Sequence, residues 1–540
     1  MKVHEAIARA LVENGVDTMF GIIGDANLFM VDRYTRDHPT TYVPATNEEG
    51  AVLMAGGYSA TSGRVGVATI THGPALTNTL TALADGVRNG LSILLLVGDT
   101  PVVDKYNLQN IDQRELITAT GAGFEQVRAP STVTQDLATA LRRARVERRP
   151  VALNIPTDFQ WTEIEYEAVT LPPVTVQRVA PDHEALDRAV GIIASAHRPI
   201  VVAGRGATSA DARAALLRLA DRIDAPVATT LKAKDLFRGE RFNLDVFGTL
   251  STPVGLDTIL ASDCVIAFGA GLNRWTTAEG AHLRGRSVVQ CDIDPRSIGQ
   301  YAAVDAGIVG DAALTADTVV SWLDEAGTPP SGFRTVELAA RIEEYSPGMY
   351  EDLSTDETVD IRTFLARVEQ AMPRDRIVVL DGGRFFLSAV AFLHVTEPQS
   401  FINTVNYGSI GLGTGTAIGA AFGAPGRPVL AVCGDGGFMM GGLVEFSTAV
   451  RADADLVVIV CNDGSYGAEH IQFSDRGMDP SLSTFRWPEL APVAEALGGT
   501  GITVRTAKDL DAIDDAIRDR DRPLLIDAKL NPNHVPSFGH

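Results

Sequence analysis

The sequence predicts an α/β protein of three domains, each built on its own parallel sheet. Two observations carry that expectation. Short apolar runs alternate with helical stretches from end to end, as at 65–70, 78–88 and 92–97, and this is the pattern of βαβ units. The alternation breaks twice, at 170–181, which holds three prolines and no helical period, and at 325–332, which reads Glu-Ala-Gly-Thr-Pro-Pro-Ser-Gly. Both read as linkers. They divide the 540 residues, too many for one hydrophobic core, into domains at 1–170, 181–326 and 340–540.

Composition narrows the functional class. With 45% hydrophobic and 21% charged residues the chain is an ordinary globular protein. Its longest apolar runs, at 93–97 and 456–461, fall far below the ~20 residues that span a bilayer. The first ten residues mix charge with apolar positions and lack the unbroken core of a signal peptide. A net charge of −22 disfavours nucleic acid and acidic membranes as partners. Cys264, Cys291, Cys433 and Cys461 each lie in or at the end of a strand-like run, without the close pairing of a zinc site. They read as buried, reduced thiols of a cytoplasmic protein.

The chemistry begins in the last domain. A strand-like run at 429–433 enters Gly434-Asp435-Gly436-Gly437, and a helical pattern follows at 443–450. Such a turn lets backbone N–H groups and a helix N-terminus approach a phosphate, while the acid can hold a divalent cation. A second run, 456–461, ends in Asn462-Asp463-Gly464, so Asn462 follows Asp435 by 27 positions. Neighbouring parallel strands end on one edge, so the Asp435 carboxylate, the Asn462 amide oxygen and a backbone carbonyl near Gly464 can meet one hard cation. Mg2+ suits that donor set.

With Asn462 at this distance, Gly434-Asp435-Gly436 resembles the thiamine-diphosphate motif of the pyruvate decarboxylase and acetolactate synthase superfamily. The resemblance covers essentially the whole chain. It implies a pyrimidine-binding domain, a middle domain of modified Rossmann type and a diphosphate-binding domain, in that order, with thiamine diphosphate and Mg2+ as cofactors. The segments 198–206 and 288–295 resemble that middle domain, which in relatives binds FAD, binds ADP or is empty; the sequence does not choose. The family also has a glutamate followed nine residues later by Gly-Tyr. Counting back from Gly57-Tyr58 gives Glu48, with the adjacent Glu49 as competitor. The implied task is a hydrogen bond to the aminopyrimidine ring nitrogen, for which a partly buried carboxyl of raised pKa is suited. The run 407–413 resembles the segment that supplies an apolar wedge beneath the bent cofactor, and maps it to Ile410. Asp381-Gly382-Gly383, after the run 377–380, is expected as a second phosphate contact.

What the resemblance implies about the reaction is divided. Members share an enamine intermediate; a decarboxylase protonates it, whereas a carboligase excludes that proton and admits a second carbonyl compound. The stretch 20–28, with Asp25 in its turn, is similar to pyruvate and phenylpyruvate decarboxylases. Tyr466-Gly467-Ala468-Glu469 resembles a tyrosine and glutamate of the same enzymes, with Ser465 inserted before it. Asp25 and Glu469 are therefore the candidate acids. His72, and Gln109 or Gln113, fall where relatives place substrate-facing groups. The adjacent histidine pair of the simple decarboxylases is absent, and 106–113 carries glutamines instead. The leading expectation is non-oxidative decarboxylation of a 2-oxo acid. The alternative is an acetolactate-synthase-like carboligation, or cleavage of a 2-hydroxyacyl-CoA or 1,2-diketone. The resemblance also implies a homodimer or homotetramer, with the cofactor between the first domain of one subunit and the last domain of another.

Overall fold

The alternating runs fold as the strands of three six-stranded sheets in the computed structural model, which describes residues 1–172 and 177–534. The first sheet contains β1 (Thr18–Gly21), β2 (Thr41–Pro44), β3 (Gly66–Ile70), β4 (Ile93–Asp99), β5 (Gly123–Gln126) and β6 (Val151–Pro156). The middle sheet contains β7 (Pro199–Ala203), β8 (Val227–Thr229), β9 (Asn243–Val246), β10 (Cys264–Phe268), β11 (Ser287–Asp292) and β12 (Ala306–Val309). The third contains β13 (Ile377–Leu380), β14 (Phe401–Asn403), β15 (Val429–Gly434), β16 (Leu456–Asn462), β17 (Thr500–Val504) and β18 (Leu524–Lys529). Pairing is parallel, as the alternation predicts.

Two compact units result, one holding the first and third sheets and the other the middle sheet. Of the linker expected at 170–181, residues 173–176 lie outside the described residues. The second linker begins where the helix Ala312–Glu325 ends. In the middle unit the helix Val336–Glu344 packs Leu338 with Ile200, Val202 and Val265. All four cysteines are buried and free, and burial pushes the Cys264 and Cys291 thiols up to about 12. Among the described residues no helix is long and apolar enough to cross a membrane.

The first and third sheets share one strand order. They run β2-β1-β3-β4-β6-β5 and β14-β13-β15-β16-β18-β17, so each reverses direction between its first and third strands. Such a reversal opens a crevice beyond the carboxyl ends of the two strands. The crevice positions are therefore the ends of β1 and β3 in one sheet and of β13 and β15 in the other. The middle sheet, β12-β11-β10-β7-β8-β9, reverses between β7 and β10.

A single core joins the first and third sheets. Phe20, Val52, Met54 and Leu95 pack in one cluster with Val379, Ile418, Ala431 and Val458. At its centre the helix Glu48–Ser62 meets the helix Gly413–Gly423. A Cβ placed on Gly57 would lie 1.9 Å from the Thr416 carbonyl oxygen, and one on Gly419 would lie 1.8 Å from that of Met54. Only hydrogen fits there, and the obstacle on each side is backbone, which moves only if a helix moves. Gly419→Ala is therefore expected to cost about 1–3 kcal/mol or more by overpacking. A urea-unfolding midpoint equal to that of the wild type would contradict the close approach.

Candidate active site

The reversal of the third sheet gathers most of the predicted cofactor residues. β15 and β16 pair in register with Gly434 opposite Cys461. Asp435 and Asn462 therefore follow as the next rung, on strands spaced about 4.8 Å apart. Asn462 donates its amide N–H to Asp527 Oδ1 at 2.8 Å, and Asp527 is fully buried on β18. That bond fixes the amide, so that Oδ1 is the free end; it accepts the Gly464 N–H at 3.3 Å. Gly464 sits at φ 65°, where a side chain would be strained. Its carbonyl accepts the Phe485 N–H at 2.7 Å and keeps a second lone pair.

Asp435 is 2% exposed, and its Oδ2 accepts the Trp487 indole N–H at 2.6 Å. Burial first, then the nearby Asp463 charge, push its carboxyl up to about 7. Asp463 itself is paired with Arg384 at 2.5 Å. A buried carboxyl held up in this way is relieved by a cation, and its neighbours offer oxygen donors only, the preference of Mg2+. Among the described residues no group of three or more His, Cys, Asp or Glu side chains could hold a metal. Asp435, Asn462 and the Gly464 carbonyl would form only a partial set, to be completed by oxygens that a ligand brings. A diphosphate supplies such oxygens, so the residues present fit thiamine diphosphate with Mg2+.

Glycines line the turns beside these donors, and neighbouring residues pack where their Cβ atoms would stand. Asp381, at the end of β13, is buried and accepts the N–H groups of Gly382 at 2.7 Å and Gly411 at 2.8 Å; burial pushes its carboxyl up to about 6. A Cβ on Gly382 would lie 3.2 Å from Ile410 Cγ2, and one on Gly437 would lie 3.1 Å from Asp381 Oδ2 and 3.5 Å from Ile410 Cβ. Gly436 faces the ring of Tyr466, and Gly434 and Gly383 face that of Phe385. The helix that starts at Asp435 passes through a π-helical turn, Phe438–Gly442, before continuing as Leu443–Arg451. One-residue insertions of that kind are frequent at functional sites.

The N-terminal candidates lie on the first sheet. Glu48 opens the helix that follows β2, and its carboxylate accepts the Asn78 amide at 3.0 Å. The two glutamates differ in surroundings: burial, then the charges of Asp381 and Glu445, raise the pKa of Glu49. Glu445 is a residue that sequence reasoning missed. Buried in the helix Leu443–Arg451, it accepts the Asn47 N–H at 2.9 Å and anchors the turn just before Glu48. Its sequence signal is only an acid on an otherwise apolar helix face.

Asp25 is exposed in the turn after β1, where the Gly24 N–H bonds Asn27 Oδ1 and Gln160 donates to the Asp25 carbonyl. His72, after β3, is 2% exposed, and its Nδ1 has no hydrogen-bond partner. The Gln113 amide accepts the Gly73 N–H and donates to the Gly98 carbonyl, so it staples two strand ends instead of facing a substrate. Glu469 is exposed in the first turn of the helix Gly467–Asp475. The inserted Ser465 bonds Asp463 Oδ1 through both its N–H and its hydroxyl. Among the described residues no hydrogen bond or ion pair joins Glu48, Asp25 or His72 to Asp435, Asn462 or Glu469. A cavity of about 390 Å3 beside Asp99, Lys105 and Arg128 contains none of these residues.

Three models of thiamine pyrophosphate enzymes match the chain in order: the N-terminal TPP binding domain at residues 1–116, the central domain at 186–319 and the C-terminal TPP binding domain at 381–528. The chain belongs to the thiamine pyrophosphate enzyme family. The C-terminal match opens on Asp381 and contains Ile410, Asp435, Asn462 and Gly464. This thiamine pyrophosphate enzyme is similar to a sulfoacetaldehyde acetyltransferase of Castellaniella defragrans, 27% identical over 96% of this chain and 92% of that one. It is similar as well to an acetolactate synthase of Mycobacterium bovis, 28% identical over 97% and 87%, and to a probable 2-ketoarginine decarboxylase of Pseudomonas aeruginosa, 28% identical over 95% and 91%.

The donor set makes a prediction. Asp435→Asn, which removes the charge and keeps the shape, should weaken Mg2+-dependent binding of thiamine diphosphate. The loss should exceed the roughly 10–100-fold typical of residues outside a ligand set. Equal affinity by calorimetry would remove Asp435 from the site.

Proposed function

We propose that this thiamine pyrophosphate enzyme is Mg2+-dependent and catalyses non-oxidative decarboxylation of a 2-oxo acid. Asp435, Asn462 and the Gly464 carbonyl would hold the metal. Gly382, Gly383, Gly434, Gly436 and Gly437 would meet the diphosphate through their backbone, and Ile410 would pack against the cofactor. When bound, thiamine diphosphate supplies the carbon nucleophile and the electron sink for breaking a carbon–carbon bond next to a carbonyl. Glu48 would hold a proton at the pyrimidine ring nitrogen. Asp25 and Glu469 deliver the proton that takes the place of CO2, with His72 as a further polar group near the end of β3.

The observation that carries this reading is the pair of available acids. Asp25 and Glu469 are both exposed, and among the described residues neither is in an ion pair. Asp25 stands on the turn after β1, and Gly24 of that turn lies against Thr71 beside His72. It thus occupies the reversal of the first sheet, where ligands of such sheets bind. A second reading, carboligation or acyl transfer, is favoured by the names of the acetyltransferase and synthase relatives and by the glutamine at 109. In it the acids do not protonate the fragment left after bond cleavage; a second acceptor captures it.

Within one chain no hydrogen bond or ion pair among the described residues joins Glu48 to Asp435, and the family resemblance implies a site between subunits. We infer a homodimer or homotetramer in which each site takes its pyrimidine half from one copy and its diphosphate half from another.

Two outcomes test the roles. Glu48→Gln should keep bound cofactor and lose activity by about 10²–10⁴, the usual contribution of an acid–base group, while Glu49→Gln loses much less; the reverse order would reassign the role. In a screen of 2-oxo acids with CO2, aldehyde and ligated product measured separately, Asp25→Asn should slow aldehyde release and raise the ratio of ligated product to aldehyde. A wild type that yields no aldehyde from any 2-oxo acid would favour the carboligase reading.

A further inference from the structure

One short segment bonds two donors of the candidate metal site and the carboxylate that holds the third. The Phe485 N–H bonds the Gly464 carbonyl at 2.7 Å. The Trp487 indole bonds Asp435 at 2.6 Å. The Leu490 N–H bonds Asp527 Oδ2 at 3.1 Å, while the other oxygen of Asp527 holds the Asn462 amide. Residues 485–490 thus form a clasp over the ends of β15, β16 and β18.

The clasp is braced. The Trp487 ring stacks on Phe485 with centroids 4.9 Å apart and planes at 18°, and Phe485 meets the edge of Tyr466 at 4.7 Å. Tyr466 in turn covers Gly436 and donates its N–H to the Ser483 carbonyl. Pro488 follows Trp487 and biases that residue toward extended backbone. The indole consequently has little freedom to leave Asp435.

The kind of donor matters as much as its position. Asp463 is bonded by the cationic Arg384, which cancels its charge. Asp435 is bonded by a neutral indole, which turns the carboxylate and fixes one oxygen without consuming its charge. Residues just outside a ligand set commonly orient it in this way. We propose that Trp487 is the positioning residue of the cation site: it engages Asp435 Oδ2 so that Oδ1 is left to face the cation. The proposal rests on the reading of Asp435 and Asn462 as Mg2+ ligands.

The test is a titration of full-length protein with Mn2+, a Mg2+ substitute whose free form is read by electron paramagnetic resonance, at saturating thiamine diphosphate. Trp487→Phe, which keeps an aromatic ring and removes the N–H, should raise the Mn2+ Kd by about 10–100-fold with the melting temperature of the cofactor-free protein unchanged. Trp487→His, which restores a ring N–H, should recover part of that loss. Phe485→Leu, which keeps the indole and removes its stacking partner, should weaken Mn2+ in the same direction, and carries the test should Trp487→Phe not fold. A wild-type Kd in both Trp487→Phe and Phe485→Leu overturns the positioning role. Tighter binding in Trp487→Phe overturns it as well, because the indole would then be a plug that a cation must displace. Asp435→Asn run alongside separates the two levels: wild-type Mn2+ affinity in that variant would overturn the metal site itself, whatever Trp487 does.

Discussion

The contact between the helices Glu48–Ser62 and Gly413–Gly423 is the constraint on which the rest of this enzyme depends. Each helix starts at or beside a candidate site residue: Glu48 is the first residue of one, and the other begins three residues after Ile410. Because Gly57 and Gly419 bring backbone against backbone, the first and third sheets share one core and behave as one body. Glu445 adds a second tie at the same place by capping the Asn47 N–H. Glu49 is thereby turned toward Asp381 and Glu445, where burial and like charge raise its pKa. Glu48 accepts the Asn78 amide instead.

Three carboxylates at the third sheet's edge are balanced in three ways. Asp381 is surrounded by backbone N–H groups from glycines, which suits a turn that must stay fixed. Asp463 is neutralised by Arg384. Asp435 has only neutral donors, the Trp487 indole and backbone N–H groups, and a carboxyl pushed up to about 7. Buried charge is costly unless paired; Asp463 has a cationic partner, whereas Asp381 and Asp435 have none and both carboxyls are pushed up by burial.

The sequence was legible where the chemistry is local. Gly434-Asp435-Gly436-Gly437 and Asn462 are each a strand end followed by a turn, and parallel register alone puts them side by side. Alternating apolar runs give three parallel sheets for the same reason. The partners of these residues were not legible, because they come from tertiary packing. Trp487 lies 52 residues from Asp435, in an irregular segment with no periodic signal. Gly57 and Gly419 look like weak helix formers until the helices are seen to touch. Gln113 shows the opposite error: a polar side chain read as substrate-facing is used up by the backbone of Gly73 and Gly98. The choice between Glu48 and Glu49 rested on counting to Gly57; the fold adds a physical difference between them, in what each carboxylate faces.

The most direct test of a site shared between copies is subunit complementation. Glu48→Gln disables the pyrimidine half and Asp435→Asn the diphosphate half, so each variant alone is expected to be inactive. When the two are co-expressed and assemble at random, half of the dimers carry both, and one of the two sites in each such dimer is intact. Activity should then return to about a quarter of the wild-type value, as twofold symmetry requires. Mixed dimers with no activity above that of the separate variants would show that Glu48 and Asp435 serve the same site from one chain, and would contradict the shared site.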